Sequence, residues 1–314
     1  MLLESVRLSN QLMVKIENLV ISGGGPNGLL AYGAIQQLQK ENIWDKESIK
    51  NIYASSFGAI ISVMITLDYS WNDLNDYIIK RPWEKIVQLD LKDYINAISA
   101  CGLITDGFCN KALTPLLEAK DLSKDITLSE YCQHTGVNLH FFTVNINGSP
   151  LDIVEMNSQT YPNLTLLKAI EMTTAVPILF PPVFHEGKCF IDGGILLNYP
   201  TEIALQNPEV NKSNTLGVFM RFINDQICME QNDSIFDLLA HIFKRMIKHI
   251  ALQKPSHGLL EMEVCCTVDG KGGFSLWENI LKNSDTRAFL IEQGKLCAKP
   301  LIENIISQSS SEET

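Results

Sequence analysis

The apolar positions change period along the chain. Residues 18–22, Asn-Leu-Val-Ile-Ser, form a short apolar run that ends in a glycine cluster, the pattern of a buried strand. From Leu29 to Lys40 the apolar residues fall at 29, 30, 31, 34, 35 and 38, a helical period. Residues 51–54 read as a second short strand, and Gly58 to Leu67 is apolar enough for a buried helix. Strand, turn, helix, strand, turn, helix predicts an α/β fold on a parallel sheet.

Further on, 68–130 reads mainly helical, with polar breaks near Asp68 to Asn72 and Thr105 to Asn110. Leu139 to Asn145 and Leu151 to Glu155 predict strands, and Leu166 to Thr174 a helix. Val183 to Ile191 predicts a hairpin turning at Glu186-Gly187, and Leu216 to Phe222 a late strand. Two helices should follow, about Ile235 to Leu252 and Asp285 to Ile306, with a frayed polar tail from Gln308 to Thr314. No repeat and no composition break is visible. Residues 203–314 are therefore expected to complete the same single domain as 18–202.

Composition narrows the function classes. At 314 residues and 46% hydrophobic, the chain can bury a full core and is not globally disordered. A net charge of −11 argues against a nucleic-acid binder, which would present a basic face. No apolar run reaches the roughly 18 residues needed to span a bilayer. Met1 to Lys15 lacks the basic head and unbroken apolar stretch of a signal peptide, so a cytoplasmic protein is expected, with at most peripheral membrane contact. The eight cysteines form no CxxC and no zinc-ligand spacing, and most are read as buried free thiols. No metal site and no cofactor is expected.

Three stretches carry candidate chemistry. Gly23-Gly24-Gly25-Pro26-Asn27-Gly28 lies between the first strand and the first helix. Glycines let the backbone turn sharply with amides outward, and the helix N-terminus adds unpaired N–H groups, so the turn suits a phosphate or a developing oxyanion. G-x-G-x-x-G is satisfied by Gly23, Gly25 and Gly28, but the second strand ends at Ala54-Ser55-Ser56 without the carboxylate a dinucleotide site wants. A plain tight turn is the bland alternative. Ala54-Ser55-Ser56-Phe57-Gly58 sits where a strand meets a helix, as in a nucleophile elbow with small neighbours, Ser56 being the nucleophile. The bland alternative is a helix cap. Asp192-Gly193-Gly194, followed by Asn198-Tyr199-Pro200, ends an apolar strand and presents one carboxylate; it could also be an ordinary Asp-Gly-Gly turn.

A serine hydroxyl needs a base. None of the histidines, at 134, 140, 185, 241, 249 and 257, sits in a recognisable base motif. The pattern therefore favours a Ser-Asp pair over a triad.

In order and spacing, from about Asn18 to Glu202, these motifs resemble the patatin-like phospholipase family of lipid acyl hydrolases. The glycine turn is similar to the family's oxyanion-hole motif G-G-G-x-[KR]-G. Ser56 stands at its nucleophile, and Asp192 heads its D-G-G/A motif. Residues 173–182, Thr-Thr-Ala-Val-Pro-Ile-Leu-Phe-Pro-Pro, are similar to the small-residue and proline segment before its aspartate. The resemblance implies a three-layer α/β/α fold with a central, mostly parallel sheet. It also implies a Ser56–Asp192 dyad and an oxyanion hole from Gly23, Gly24, Gly25, Asn27 and Gly28. Ala54, Gly58, Gly193 and Gly194 would support the elbow and the aspartate motif.

Two positions depart from the pattern: Ala54 replaces the usual elbow glycine, and Asn27 stands where Arg or Lys is usual. They motivate an alternative, a weak or inactive patatin-like lipid-binding or interaction protein. The expected partner is a lipid at a membrane or micelle surface, with no nucleic acid, no transmembrane segment and an undetermined oligomeric state. Ile235 to Lys254 combines apolar residues with Lys244, Arg245, Lys248 and His249 and could be an interfacial helix; a core-packing helix is the preferred reading.

Overall fold

A computed structural model of the chain describes residues 15–87, 99–105, 107–223, 229–231, 235–253, 257–269 and 274–311. Its strands are β1 (Asn18–Ile21), β2 (Asn51–Ser55), β3 (Asn138–Asn145), β4 (Asp152–Met156), β5 (Val183–His185), β6 (Lys188–Asp192), β7 (Thr215–Ile223) and β8 (Met262–Asp269). The helices up to β7 are α1 (Gly28–Lys40), α2 (Phe57–Thr66), α3 (Trp71–Lys80), α4 (Phe108–Glu118), α5 (Leu128–Thr135), α6 (Leu166–Thr174) and the short α7 (Thr201–Ala204). After β7 come α8 (Ile235–Gln253), α9 (Phe274–Lys282), α10 (Ser284–Cys297) and α11 (Lys299–Ser311).

One sheet runs β5-β6-β3-β2-β1-β7-β8, with β4 also on β3. The β3-β2-β1-β7-β8 portion is parallel, and β4, β5 and β6 pair antiparallel at one end. The central strands are apolar on both faces, as a covered parallel sheet requires. Leu19, Ile21, Ile52, Ala54, Phe141 and Val218 point into the larger core, beneath α1, α2, α6 and α10. Their alternates Val20, Tyr53, Phe142 and Phe219 form a smaller core with Tyr199, Ala204 and Leu260. The third layer is thus thin, made among the described residues chiefly by α7 and the connection to β7. β7 and β8 join the same sheet as β1 and β2, so strands from either side of residue 202 share one hydrogen-bonded framework.

The register on β3 positions the site. β2 pairs along β3 up to Ser55 opposite Phe142, and β6 takes over at the next position, Asp192 opposite Thr143. β4 occupies the other edge of β3 through these residues. β2 and β6 therefore abut end to end on one edge of β3, and their C-terminal residues meet.

The C-terminal third departs from the sequence expectation. In place of two helices after β7 there are four among the described residues, with β8 between the first two. β8 (Met262–Asp269) carries Glu263, two cysteines and Thr267, a polar mixture that hides a strand whose Val264, Cys266 and Val268 are buried. The expected helix from Asp285 to Ile306 is two helices, broken at Ala298. Pro300, in the first turn of α11, has no N–H to give the carbonyl of Leu296, so α10 cannot run through it. The expected frayed tail is helical up to Ser311. Only Cys109, Cys189 and Cys266 are buried among the described cysteines, all of which are free thiols, so burial accounts for fewer of them than expected.

Candidate active site

Ser56 occupies the tight connection between β2 and α2 with φ 52° and ψ −126°, a backbone conformation rare for a residue with a Cβ. Gly58 makes that turn possible. A Cβ there would lie 2.6 Å from the carbonyl oxygen of Ile21, so only glycine lets α2 start against the end of β1. The Ser56 N–H donates to Thr173 Oγ1 at 3.0 Å, and Thr173 Oγ1 donates to the Phe142 carbonyl at 2.5 Å. These bonds tie the strained residue to α6 and β3.

Asp192 ends β6. Its N–H donates to the Ala175 carbonyl at 2.9 Å, and its Oδ1 accepts the Gly194 N–H at 2.6 Å. Its Oδ2 accepts the Ser56 hydroxyl at 2.5 Å. A Cβ on Gly193 would run into the Phe142 carbonyl, which explains the first glycine after the aspartate. Both side chains are buried. Burial pushes the Asp192 carboxyl up from 3.8 to about 7, against the opposing pull of its bonds from Ser56 and Gly194.

The glycine turn lies against this pair. A Cβ on Gly23 would stand 3.0 Å from that of Ser56. The Gly23 N–H donates to the Asn198 carbonyl at 3.0 Å, Asn198 Nδ2 donates to the Gly23 carbonyl at 3.3 Å, and Ser55 Oγ donates to the Leu197 carbonyl at 2.7 Å. The Gly28 N–H is turned onto the Gly25 and Pro26 carbonyls. Gly23 and Gly28, expected as oxyanion donors, thus spend their amides inside the protein and shape the turn. The amides of Gly24 and Gly25 meet no acceptor among the described residues, and Gly25 has φ +53°. Asn27 is buried in the single 3-10 turn Gly25–Asn27.

Ala54 does not crowd the elbow. It lies in regular β2, paired with Ile21 and Phe141, and its side chain packs in the larger core. Among the described residues, no histidine hydrogen-bonds to Ser56 or Asp192. His140, the buried one, bonds Glu155 at 2.6 Å and stacks on Tyr53.

An apolar cavity opens beside the elbow. Pro26 of the glycine turn and Phe57, next to Ser56, line it, and Ile61, Met64, Ala112 and Leu113 form part of its walls. The space between these walls, open mouth included, is about 690 Å³. Among the described residues, no group of three or more His, Cys, Asp or Glu side chains is gathered as for a metal ion. No described helix is long and apolar enough to cross a membrane.

Two residues of this site, Thr173 and Asn198, were given no role from the sequence. Both stand inside noted stretches, but their bonds to Ser56 and Gly23 depend on long-range packing that spacing does not reveal.

A family model described as patatin-like phospholipase matches residues 19–205. The chain belongs to the patatin-like phospholipase family. It is 27% identical over 204 residues to the uncharacterized protein R571 of Acanthamoeba polyphaga mimivirus, with 65% of each chain covered. It is also 27% identical over 191 residues to a probable lipid hydrolase, 463L, of Invertebrate iridescent virus 6, covering 60% of this chain and 63% of the relative. The chain thus spans a little under two thirds of the curated relatives it matches. Among solved structures it is similar to VipD from Legionella pneumophila, with TM-score 0.44, 15% identity, and 90% of this chain and 67% of that one covered. It is also similar to ExoU in its complex with SpcU from Pseudomonas aeruginosa, with TM-score 0.44, 16% identity, and coverage of 94% and 52%.

Proposed function

We propose that this chain is a lipid acyl hydrolase, a serine esterase of the phospholipase A type that acts through a Ser56–Asp192 dyad. The observation that carries the reading is the 2.5 Å hydrogen bond from Ser56 Oγ to Asp192 Oδ2 on a strained strand–helix elbow. Membership of the patatin-like phospholipase family and likeness to a probable viral lipid hydrolase support it.

Ionised Asp192 accepts the hydroxyl proton as Ser56 Oγ attacks the ester carbonyl. The negative charge that develops on the carbonyl oxygen is held by the Gly24 and Gly25 amides. Loss of one such donor typically costs about 10²–10³ in rate. Collapse of the tetrahedral adduct expels the alcohol, which takes the proton from Asp192, and leaves the acyl group on Ser56. Water then attacks the acyl-enzyme, giving a proton to Asp192, and the fatty acid leaves as Ser56 regains its hydrogen. The fatty-acyl chain lies in the cavity beside Phe57. Residues 203–314 complete the same unit as the motif-bearing segment. The Arg or Lys missing at Asn27 leaves the nucleophile, the base and the glycine amides in place.

The test is hydrolysis of a panel of phospholipids, lysophospholipids, galactolipids and triacylglycerols by purified wild type and Ser56→Ala. Release of fatty acid by wild type alone is expected. Equal release by both proteins would remove Ser56 as the nucleophile, and none by either would leave a patatin-like lipid-binding protein in its place.

A further inference from the structure

The sequence pattern favoured a core-packing role for α8, and the structure reverses this. Ile235, Leu238, Leu239, Ile242 and Met246 recur at helical spacing along one stripe, and every one is exposed, Ile235 at 62% and Met246 at 59%. Among the described residues α8 makes no extensive contact with any other element. Phe222 and Ile223 at the end of β7, and Met229 between β7 and α8 in the chain, are exposed as well. β7 runs parallel to β1 and β2, so its end lies on the rim that carries the glycine turn and Ser56.

We infer that the apolar stripe of α8 is a docking face for a phospholipid surface that carries anionic headgroups. Charge selects this occupant. The whole chain is at −11, yet residues 235–253 hold Lys244, Arg245 and Lys248 against the single acidic Asp237. Arg245 follows Ile242 by three residues and Leu238 by seven, so it borders the stripe. A helix that combines an apolar stripe with an excess of basic residues lies down in the headgroup region, where anionic lipids attract those residues. A second copy of the chain would instead set two positively charged helices face to face. Docking by this helix holds the chain at an anionic lipid surface that its net charge of −11 alone would repel. The inference rests on the acyl-hydrolase reading for its purpose, but its binding readout does not.

The experiment is flotation of the full chain with vesicles of phosphatidylcholine alone and with added phosphatidylglycerol. Wild type, Ser56→Ala and Leu239→Glu/Ile242→Glu are compared. Wild type and Ser56→Ala should float with the anionic vesicles, and the double variant should lose at least about tenfold in bound fraction. A soluble short-chain ester keeps the readout honest about folding: the double variant should hydrolyse it at the wild-type rate while losing activity on vesicles. Equal flotation of wild type and double variant, or no flotation of wild type, overturns the inference. So does light scattering that shows a wild-type dimer dissociated by the double substitution, since the occupant is then a second copy. If Ser56→Ala floats normally but no protein hydrolyses any ester, docking stands and the acyl-hydrolase reading fails.

Discussion

Ser56 and Asp192 reach their 2.5 Å contact from two strands that abut on one edge of β3, Ser55 opposite Phe142 and Asp192 opposite Thr143. The Ser56–Asp192 contact is therefore a product of sheet register. A slip of one residue in either strand would turn the side chain to the opposite face. The same arrangement buries the carboxylate, and the predictions below follow from that burial and from the strained turn that faces it.

The pH dependence has a definite sign. As a base Asp192 must be ionised, and burial lifts its carboxyl to about 7. The kcat/KM on a soluble ester should rise about tenfold per pH unit on the acid side and level off above about 7. A profile already flat from pH 5 would contradict this.

Stability should move the other way. The folded pKa of Asp192 is raised above the ordinary 3.8, so its contribution is fully present below that value and is lost as pH rises towards about 7. Asp192→Asn keeps a neutral side chain at every pH. Thermal unfolding should find this variant close to wild type near pH 4 and higher-melting at pH 8, although inactive.

The elbow stores backbone strain. Gly is ordinarily less stable than Ala at a given site, but Ser56 has φ 52°. Ser56→Gly should therefore match or exceed Ser56→Ala in stability, by about 1 kcal/mol. Denaturant titration of the two inactive variants checks the order.

Thr173 is a positioning residue. Thr173→Val keeps the shape but leaves the Ser56 N–H and the Phe142 carbonyl unpaired in the interior, at about 1–3 kcal/mol. Misplacement of the nucleophile should lower kcat roughly tenfold to a hundredfold with little change in KM. Thr173→Ser should restore most of it, which a merely space-filling role would not allow.

On the proposed reading, the cavity sets acyl-chain length. Ala112 lines it from α4. Ala112→Leu should shift preference towards shorter acyl esters and leave the rate on a butyryl ester unchanged.

Much of this was legible in the chain, and the failures have physical causes. The strands and helices of the first 70 residues, the helix at 166–174 and the hairpin around Glu186-Gly187 follow from period and turn chemistry, both local. The glycine turn, Ser56 and Asp192 stood out because each needs a small residue at a fixed offset. The spent amides of Gly23 and Gly28 were not foreseeable, since their acceptor positions depend on the fold, including the distant Asn198. β8 was missed because polar residues alternate with its buried Val264, Cys266 and Val268. α8 misled for a related reason: an amphipathic period says that a helix has an apolar face, and only the tertiary structure says whether anything covers it.

The proposed dyad is open to covalent labelling. A fluorophosphonate probe reacts only with a serine whose hydroxyl is activated, so intact-mass analysis and peptide mapping of treated wild type, Ser56→Ala and Asp192→Asn read nucleophile and base together. We predict a single adduct on Ser56 in wild type, none in Ser56→Ala, and strongly slowed labelling in Asp192→Asn. An adduct on another serine, or labelling of Ser56 at the same rate without Asp192, would contradict the assignment.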